Sequence, residues 1–390
     1  MHLPEDARLA TRLTHYAEDY KQQGAVVPPI YQTSTFVFDD FAQFQHSMVE
    51  APWGPPFLYS RIGNPTVDIA EKKLAMLEQT EACKLIGTGM GAAALAIMSC
   101  VESGSHVVAV DTCYGPVYKF LSEYLNKFGV THTFVHGNES EDILDAIRPE
   151  TTMIYLESPS SIIFRLQDIS KITKVAREKG ITTAIDNTYC TPINCNPATL
   201  GVDIVLHSAT KYLGGHSDLT AGAICTSRER LERMIRREVD YFGSILAPFP
   251  AWLLMRGMRT LKVRMRYAEE MGNTVASWLE NHPSADIVHH VGLESFPQRE
   301  LFLRQMRGSS SLFSFEPKRQ DEAAVLRFVE ALKIFQLGVS WGGHESLAVP
   351  ILGKPLGYTE SRWCVRFYCG LEDPADLIAD IAQAFEASGL

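Results

Sequence analysis

The chain has 390 residues, 46% of them hydrophobic and 21% charged, with a formal net charge of −10. That length suffices to bury one large core and a smaller one beside it, while the acidic balance and the lack of a basic stripe exclude a nucleic-acid binder. The opening Met1-His2-Leu3-Pro4-Glu5-Asp6-Ala7-Arg8 is too charged for a secretory leader. No run reaches the about 18 apolar residues of a membrane span, so a cytoplasmic protein without a membrane partner is expected.

Residues 1–63 show little periodicity, with turns at Val27-Pro28-Pro29 and Trp53-Gly54-Pro55-Pro56, and read as an extended arm resting on a neighbouring subunit. From 64 to 255, helical and strand patterns alternate as in parallel βαβ units. Helices are predicted over 66–79, 90–101, 117–128, 139–147 and 169–179. Strands are predicted over 106–110, 130–135, 152–156, 182–185, 204–206 and 221–225, giving an α/β domain with a mostly parallel central sheet. After Pro248-Phe249-Pro250 the pattern changes, and residues 256–390 read as a smaller α+β domain: a long helix over 259–281, strands over 287–291 and 310–315, a helix over 322–333, a strand over 364–368 and a helix over 376–387. The eight cysteines include no CxxC pair, and no disulfide is expected. His282, His289 and His290 have no carboxylate or cysteine at ligand spacing in the sequence, so no metal site is expected either.

Chemistry concentrates at the strand ends. Lys211 stands in Ser208-Ala209-Thr210-Lys211-Tyr212-Leu213-Gly214-Gly215-His216, just past the apolar run 203–206, where a lysine can be desolvated and held against a ligand. Asp186 ends another apolar run, 182–185. Alone, these are a surface lysine and a capping aspartate; together they meet the needs of a pyridoxal phosphate site, one as amine nucleophile and one as partner of the ring nitrogen. Gly87-Thr88-Gly89-Met90-Gly91-Ala92 opens a helix and admits three readings: a phosphate cradle at the helix end, a dinucleotide fingerprint with Asp111 as ribose acid, or a plain tight turn. Tyr114, beside Gly115, is placed to cover a flat ring or simply to pack. A nicotinamide site would leave Asp186 and Lys211 without roles. Arg366, in the apolar run 364–368, requires a carboxylate, from a ligand or from an internal salt bridge.

Seven ordered segments resemble the Cys/Met-metabolism family of pyridoxal-phosphate (PLP) enzymes: Tyr59-Ser60-Arg61-Ile62-Gly63-Asn64-Pro65-Thr66, Gly89-Met90, Tyr114-Gly115, Glu157-Ser158-Pro159, Asp186-Asn187-Thr188, Ser208 to Tyr212, and Ser340-Trp341-Gly342-Gly343-His344-Glu345-Ser346. The resemblance implies a PLP-dependent transferase-like fold of the aspartate aminotransferase type (fold type I), with Lys211 as the Schiff-base lysine, Asp186 at the pyridinium and Tyr114 stacked on the ring. Gly89, Met90, Ser208 and Thr210 would hold the phosphate, with Tyr59 and Arg61 reaching it from a neighbouring subunit of a dimer or homotetramer. Ser340 and Arg366 would bind the substrate carboxylate, with Tyr59 and Trp341 beside the substrate. The activity implied is that of a carbon–sulfur lyase. Val339-Ser340-Trp341 stands where γ-acting members usually have Glu-Ser-Leu, and Ser160-Ser161 where they commonly have Thr-Asn, so β-cleavage of cystathionine or related cysteine S-conjugates to pyruvate, ammonia and a thiol is the expectation. Val339, where β-lyases often have an aromatic, and Ile62, where some have arginine, leave γ-cleavage, cysteine desulfhydration and alanine racemisation open.

Overall fold

A computed structural model describes residues 3–4, 6–18, 22–50 and 54–390. Seven strands form the larger sheet: β1 (Ala82–Ile86), β2 (His106–Val110), β3 (Thr131–Val135), β4 (Thr151–Glu157), β5 (Thr182–Asp186), β6 (Ile204–His207) and β7 (Gly222–Thr226), in the order β1-β7-β6-β5-β4-β2-β3. Neighbours from β3 to β6 run parallel, whereas β7 is antiparallel to both β6 and β1. β1, β2, β6 and β7 are buried throughout, as strands covered on both faces must be.

The helices between them carry local signals for where they begin. Asn64 caps Pro65–Glu78 by accepting the Thr66 N–H at 2.9 Å, with proline at the first helical position. Thr88 caps Gly89–Met98 by accepting the Gly91 N–H at 2.9 Å. The predicted helix over 117–128 is instead an α-helical turn (Gly115–Lys119), a widened π turn (Phe120–Tyr124) and a 3₁₀ turn (Leu125–Phe128).

The second sheet has five strands, β8 (Ala285–His289), β9 (Leu312–Pro317), β10 (Gln336–Leu337), β11 (Leu347–Gly353) and β12 (Arg362–Tyr368), ordered β10-β11-β12-β9-β8. One 33-residue helix, Pro248–Glu280, joins the two cores. Leu254, Met258 and Leu261 enter the larger core, and Met271, Val275 and Leu279 the smaller. The sequence reading starts this helix at 259, yet Pro248 occupies its first turn, the one place where a missing N–H costs nothing.

The arm is less extended than expected, since it contains the helices Leu9–His15 and Phe41–Glu50. Trp53, in the expected turn at 53–56, lies outside the described residues. Among the described residues no helix is long and apolar enough to cross a membrane. The carboxyl ends of β4, β5 and β6 and the face of the smaller sheet meet at one crevice, where an open parallel sheet binds its ligand.

Candidate active site

Pairing in register brings Glu157 at the end of β4 beside Asp186 at the end of β5. The chain leaving β6 turns tightly, with the Lys211 N–H on the Ser208 carbonyl at 3.1 Å and the Gly215 N–H on the Lys211 carbonyl at 2.8 Å. This holds Lys211 half-buried over the same sheet edge. From the other side, the Ser340–Gly343 loop presses onto it. A Cβ on Gly342, whose φ is +87°, would lie 2.6 Å from the Tyr212 nitrogen, so only glycine allows that approach. Lys211 Nζ donates to Ser340 Oγ at 2.7 Å and lies 5.6 Å from the centre of the Trp341 ring. Burial, and then the Arg366 guanidinium, bring the Lys211 amine down to about 8, although Asp186 pulls the other way.

These groups line a cavity of about 480 Å³ that also receives Gly89, Met90, Tyr114, Ser208, Thr210, Ser340, Trp341 and Arg366. Ten of the twelve residues singled out from the sequence therefore converge. Tyr59 and Arg61 do not line the cavity of their own chain. The Arg61 guanidinium pairs with Asp240 and sits 5.8 Å from the centre of the Tyr59 ring.

The cavity fits pyridoxal phosphate. Both Thr188 donors, N–H and hydroxyl, go to Asp186 Oδ1, which leaves Oδ2 for a cationic ring nitrogen. At the opposite wall, capping by Thr88 satisfies Gly91, so the Gly89 and Met90 N–H groups at the helix end are available to a phosphate. Tyr114, 49% exposed, offers its ring over the space between. Arg366, on β12, donates to the Val339 carbonyl at 2.6 Å and forms no ion pair among the described residues. The internal salt bridge considered from sequence is absent there, and the guanidinium remains free for a substrate carboxylate.

Three features were given no role from the sequence, although Glu157 and Thr188 stand in segments that carry the resemblance. Thr188 supports Asp186 and also accepts the Ser208 N–H at 2.8 Å; its signal was the Asp-x-Thr spacing of a side-chain turn. Glu157 accepts the Tyr114 N–H at 2.7 Å and the Ser161 hydroxyl at 2.6 Å. Burial and the adjacent Asp186 charge push its carboxyl up to about 8, a consequence of strand pairing that no local pattern announces. Thirdly, His289, Glu316 and Cys364, far apart in sequence, bring their ligand atoms within 4.8 Å of one another. Glu316 there accepts from His289 at 2.7 Å and Tyr358 at 2.6 Å and meets Arg362 at 2.6 Å, so a guanidinium already supplies the positive charge.

The dinucleotide alternative loses its ribose acid. Asp111 is committed to Arg165 at 3.1 Å and to the Leu356 N–H at 2.5 Å.

The sequence matches the Cys/Met metabolism PLP-dependent enzyme family over residues 10–386. It is 38% identical to an L-methionine gamma-lyase of Porphyromonas gingivalis, with 97% of each chain covered. Another L-methionine gamma-lyase, from Pseudomonas putida, is 38% identical with 97% of each chain covered. A cystathionine gamma-lyase of Bacillus subtilis is 37% identical, covering 94% of this chain and 96% of that protein.

Proposed function

Since this chain belongs to the Cys/Met-metabolism family of PLP-dependent enzymes, we propose that it is a carbon–sulfur lyase that cleaves the Cγ–S bond of a thioether amino acid. The observation that carries the reading is similarity over nearly the whole chain to methionine and cystathionine γ-lyases, joined to a cavity in which Lys211 and Arg366 face one ligand space.

Pyridoxal phosphate, when bound, supplies an electron sink for charge developing at the substrate Cα. Asp186, whose Oδ1 is held by Thr188, would stabilise positive charge on the ring nitrogen. The Gly89 and Met90 amides and the Ser208 hydroxyl would hold the phosphate, and Tyr114 would cover the ring. The Thr210 hydroxyl donates to the Ala221 carbonyl at 3.2 Å and accepts the Ala221 N–H at 3.0 Å, so it would have to turn to join them. Arg366 takes the substrate carboxylate as a planar fork, with Ser340 and Trp341 on the same side. Lys211 Nζ moves the Cα proton, a task suited to an amine titrating at about 8. For γ-cleavage the same nitrogen, steered by Ser340, would first have to pass that proton on to the cofactor, which frees its lone pair to take a second proton from Cβ. The Tyr114 hydroxyl gives its proton to the departing sulfur.

A second reading, β-cleavage, draws on the tripeptide Val339-Ser340-Trp341. The Trp341 ring packs edge-on against Tyr212 at 5.4 Å and narrows the cavity beside Lys211. Identification of the oxo acid from L-methionine and L-cystathionine decides between the two. γ-Cleavage yields 2-oxobutyrate and ammonia with the thiol, whereas pyruvate from cystathionine would establish β-cleavage.

A further inference from the structure

Two carboxyl groups end neighbouring strands on the cavity side of the larger sheet. Glu157 closes β4 and Asp186 closes β5, and the two are paired in register, so their side chains leave the same face from strands about 4.8 Å apart. Both line the catalytic cavity. Thr188 holds Asp186 through its N–H and its hydroxyl, whereas Glu157 accepts the Tyr114 N–H at Oε2 (2.7 Å) and the Ser161 hydroxyl at Oε1 (2.6 Å). The helix Gly115–Lys119 starts from Tyr114. Glu157 therefore fixes the main chain that carries the ring-covering side chain.

Glu157 forms no ion pair among the described residues. Two carboxylates so close together and out of water do not both ionise. Burial and then the Asp186 charge push the Glu157 carboxyl up to about 8, so it keeps its proton at neutral pH. Burial raises Asp186 as well, but the Thr188 donors, and after them His207 and Lys211, act against that, and Asp186 is the member that ionises first. Tyr155 on β4 and Cys113 after β2 also face Glu157; burial pushes both well above their ordinary ranges, and they stay neutral. Serine at position 161 suits this state. Its hydroxyl donates to a carboxylate and accepts from a carboxylic acid, so Glu157 can hold or lose its proton without losing a partner.

We propose that Glu157 is a positioning residue coupled to the cofactor by one proton: when Asp186 gives its charge to a cationic ring nitrogen, Glu157 loses its proton and, as a carboxylate, holds the Tyr114 N–H more firmly over the bound ring. A hydrogen bond to an ionised acceptor is shorter and stronger than one to a neutral acid. The proton leaves to solvent through the cavity that Glu157 lines. No bond of the substrate takes part, so the inference is independent of which carbon–sulfur bond is cleaved.

Calorimetric titration of the cofactor-free protein with pyridoxal phosphate, in buffers of different ionisation enthalpy, counts the protons released on binding without any substrate. At about pH 7 the wild type should release at least about half a proton per subunit more than Glu157→Gln, whose amide keeps both hydrogen bonds but does not ionise. Protons exchanged at Lys211 and on the cofactor are common to both proteins and cancel. The difference should fall away as pH rises through about 8, where wild-type Glu157 is already ionised before binding. Circular dichroism of the bound cofactor's visible band reads the Tyr114 geometry. Glu157→Gln should keep that signal, whereas Glu157→Ala and Glu157→Leu, which offer the Tyr114 N–H no acceptor, should lose most of it. Equal proton release by the wild type and Glu157→Gln at about pH 7 overturns the coupling, and full dichroism in whichever of the alanine and leucine variants folds overturns the positioning role.

Discussion

At the scale of single residues, the site is organised by one amine and the charges around it. Arg366 is the second cause, after burial, of the lowered Lys211 pKa. A lysine held at about 8 is protonated and unreactive below that pH, so reconstitution of cofactor-free protein with pyridoxal phosphate should accelerate as pH rises through about 8 and level off above it. Arg366→Gln removes a repelling cation and should move that midpoint upward, towards the about 10.4 of a free lysine; an unmoved midpoint would mean that burial alone sets the amine. Asp186→Asn keeps size but loses the charge offered to the ring nitrogen. Its turnover should fall by at least ~10²-fold with cofactor still bound, a loss comparable to removing one electrostatic stabiliser elsewhere. Near-normal turnover would place the counter-charge on another group. Lys211, Asp186 and Arg366 were legible because each is a charge beside an apolar run, which sequence displays directly. Glu157 was not, because its environment comes from Asp186 on the adjacent strand.

At the scale of elements, the phosphate wall depends on how closely β7 meets the helix Gly89–Met98. A Cβ on Gly222 would lie 2.1 Å from the Thr88 carbonyl oxygen, a backbone atom that cannot step aside cheaply. Gly222→Ala should therefore push the helix start outward, costing ~1–3 kcal/mol of stability and weakening cofactor retention. Thermal melting and cofactor dialysis would detect both effects, and a variant with unchanged melting would show that the wall yields. Most strands of the larger sheet were predicted within one or two residues, because buried parallel strands are short β-branched runs bounded by turns. β11 was missed, since Pro350 sits in its middle. The structure explains why proline is tolerated: β10 pairs only with Leu347 and Ala348, so β11 is a sheet edge from there on.

At the scale of the whole molecule, Tyr59 and Arg61 lie outside their own chain's cavity, with Arg61 paired to Asp240, and a site shared between subunits is an expectation from the family resemblance. If Arg61 serves a neighbour, Arg61→Ala and Lys211→Ala should each be inactive alone. Refolded together, they should recover up to about a quarter of wild-type activity, because half of the dimers then hold one intact site of two. No recovery would confine the site to one chain. The preference for β- over γ-cleavage was the least legible feature, because both reactions use the same lysine, aspartate and arginine and differ in which second proton moves. The direct measurement for the account is borohydride reduction of the yellow holoenzyme, followed by peptide mass mapping. The pyridoxyl group should appear on the peptide containing Lys211 and vanish in Lys211→Ala; its attachment to a different lysine, or no attachment at all, would contradict the account.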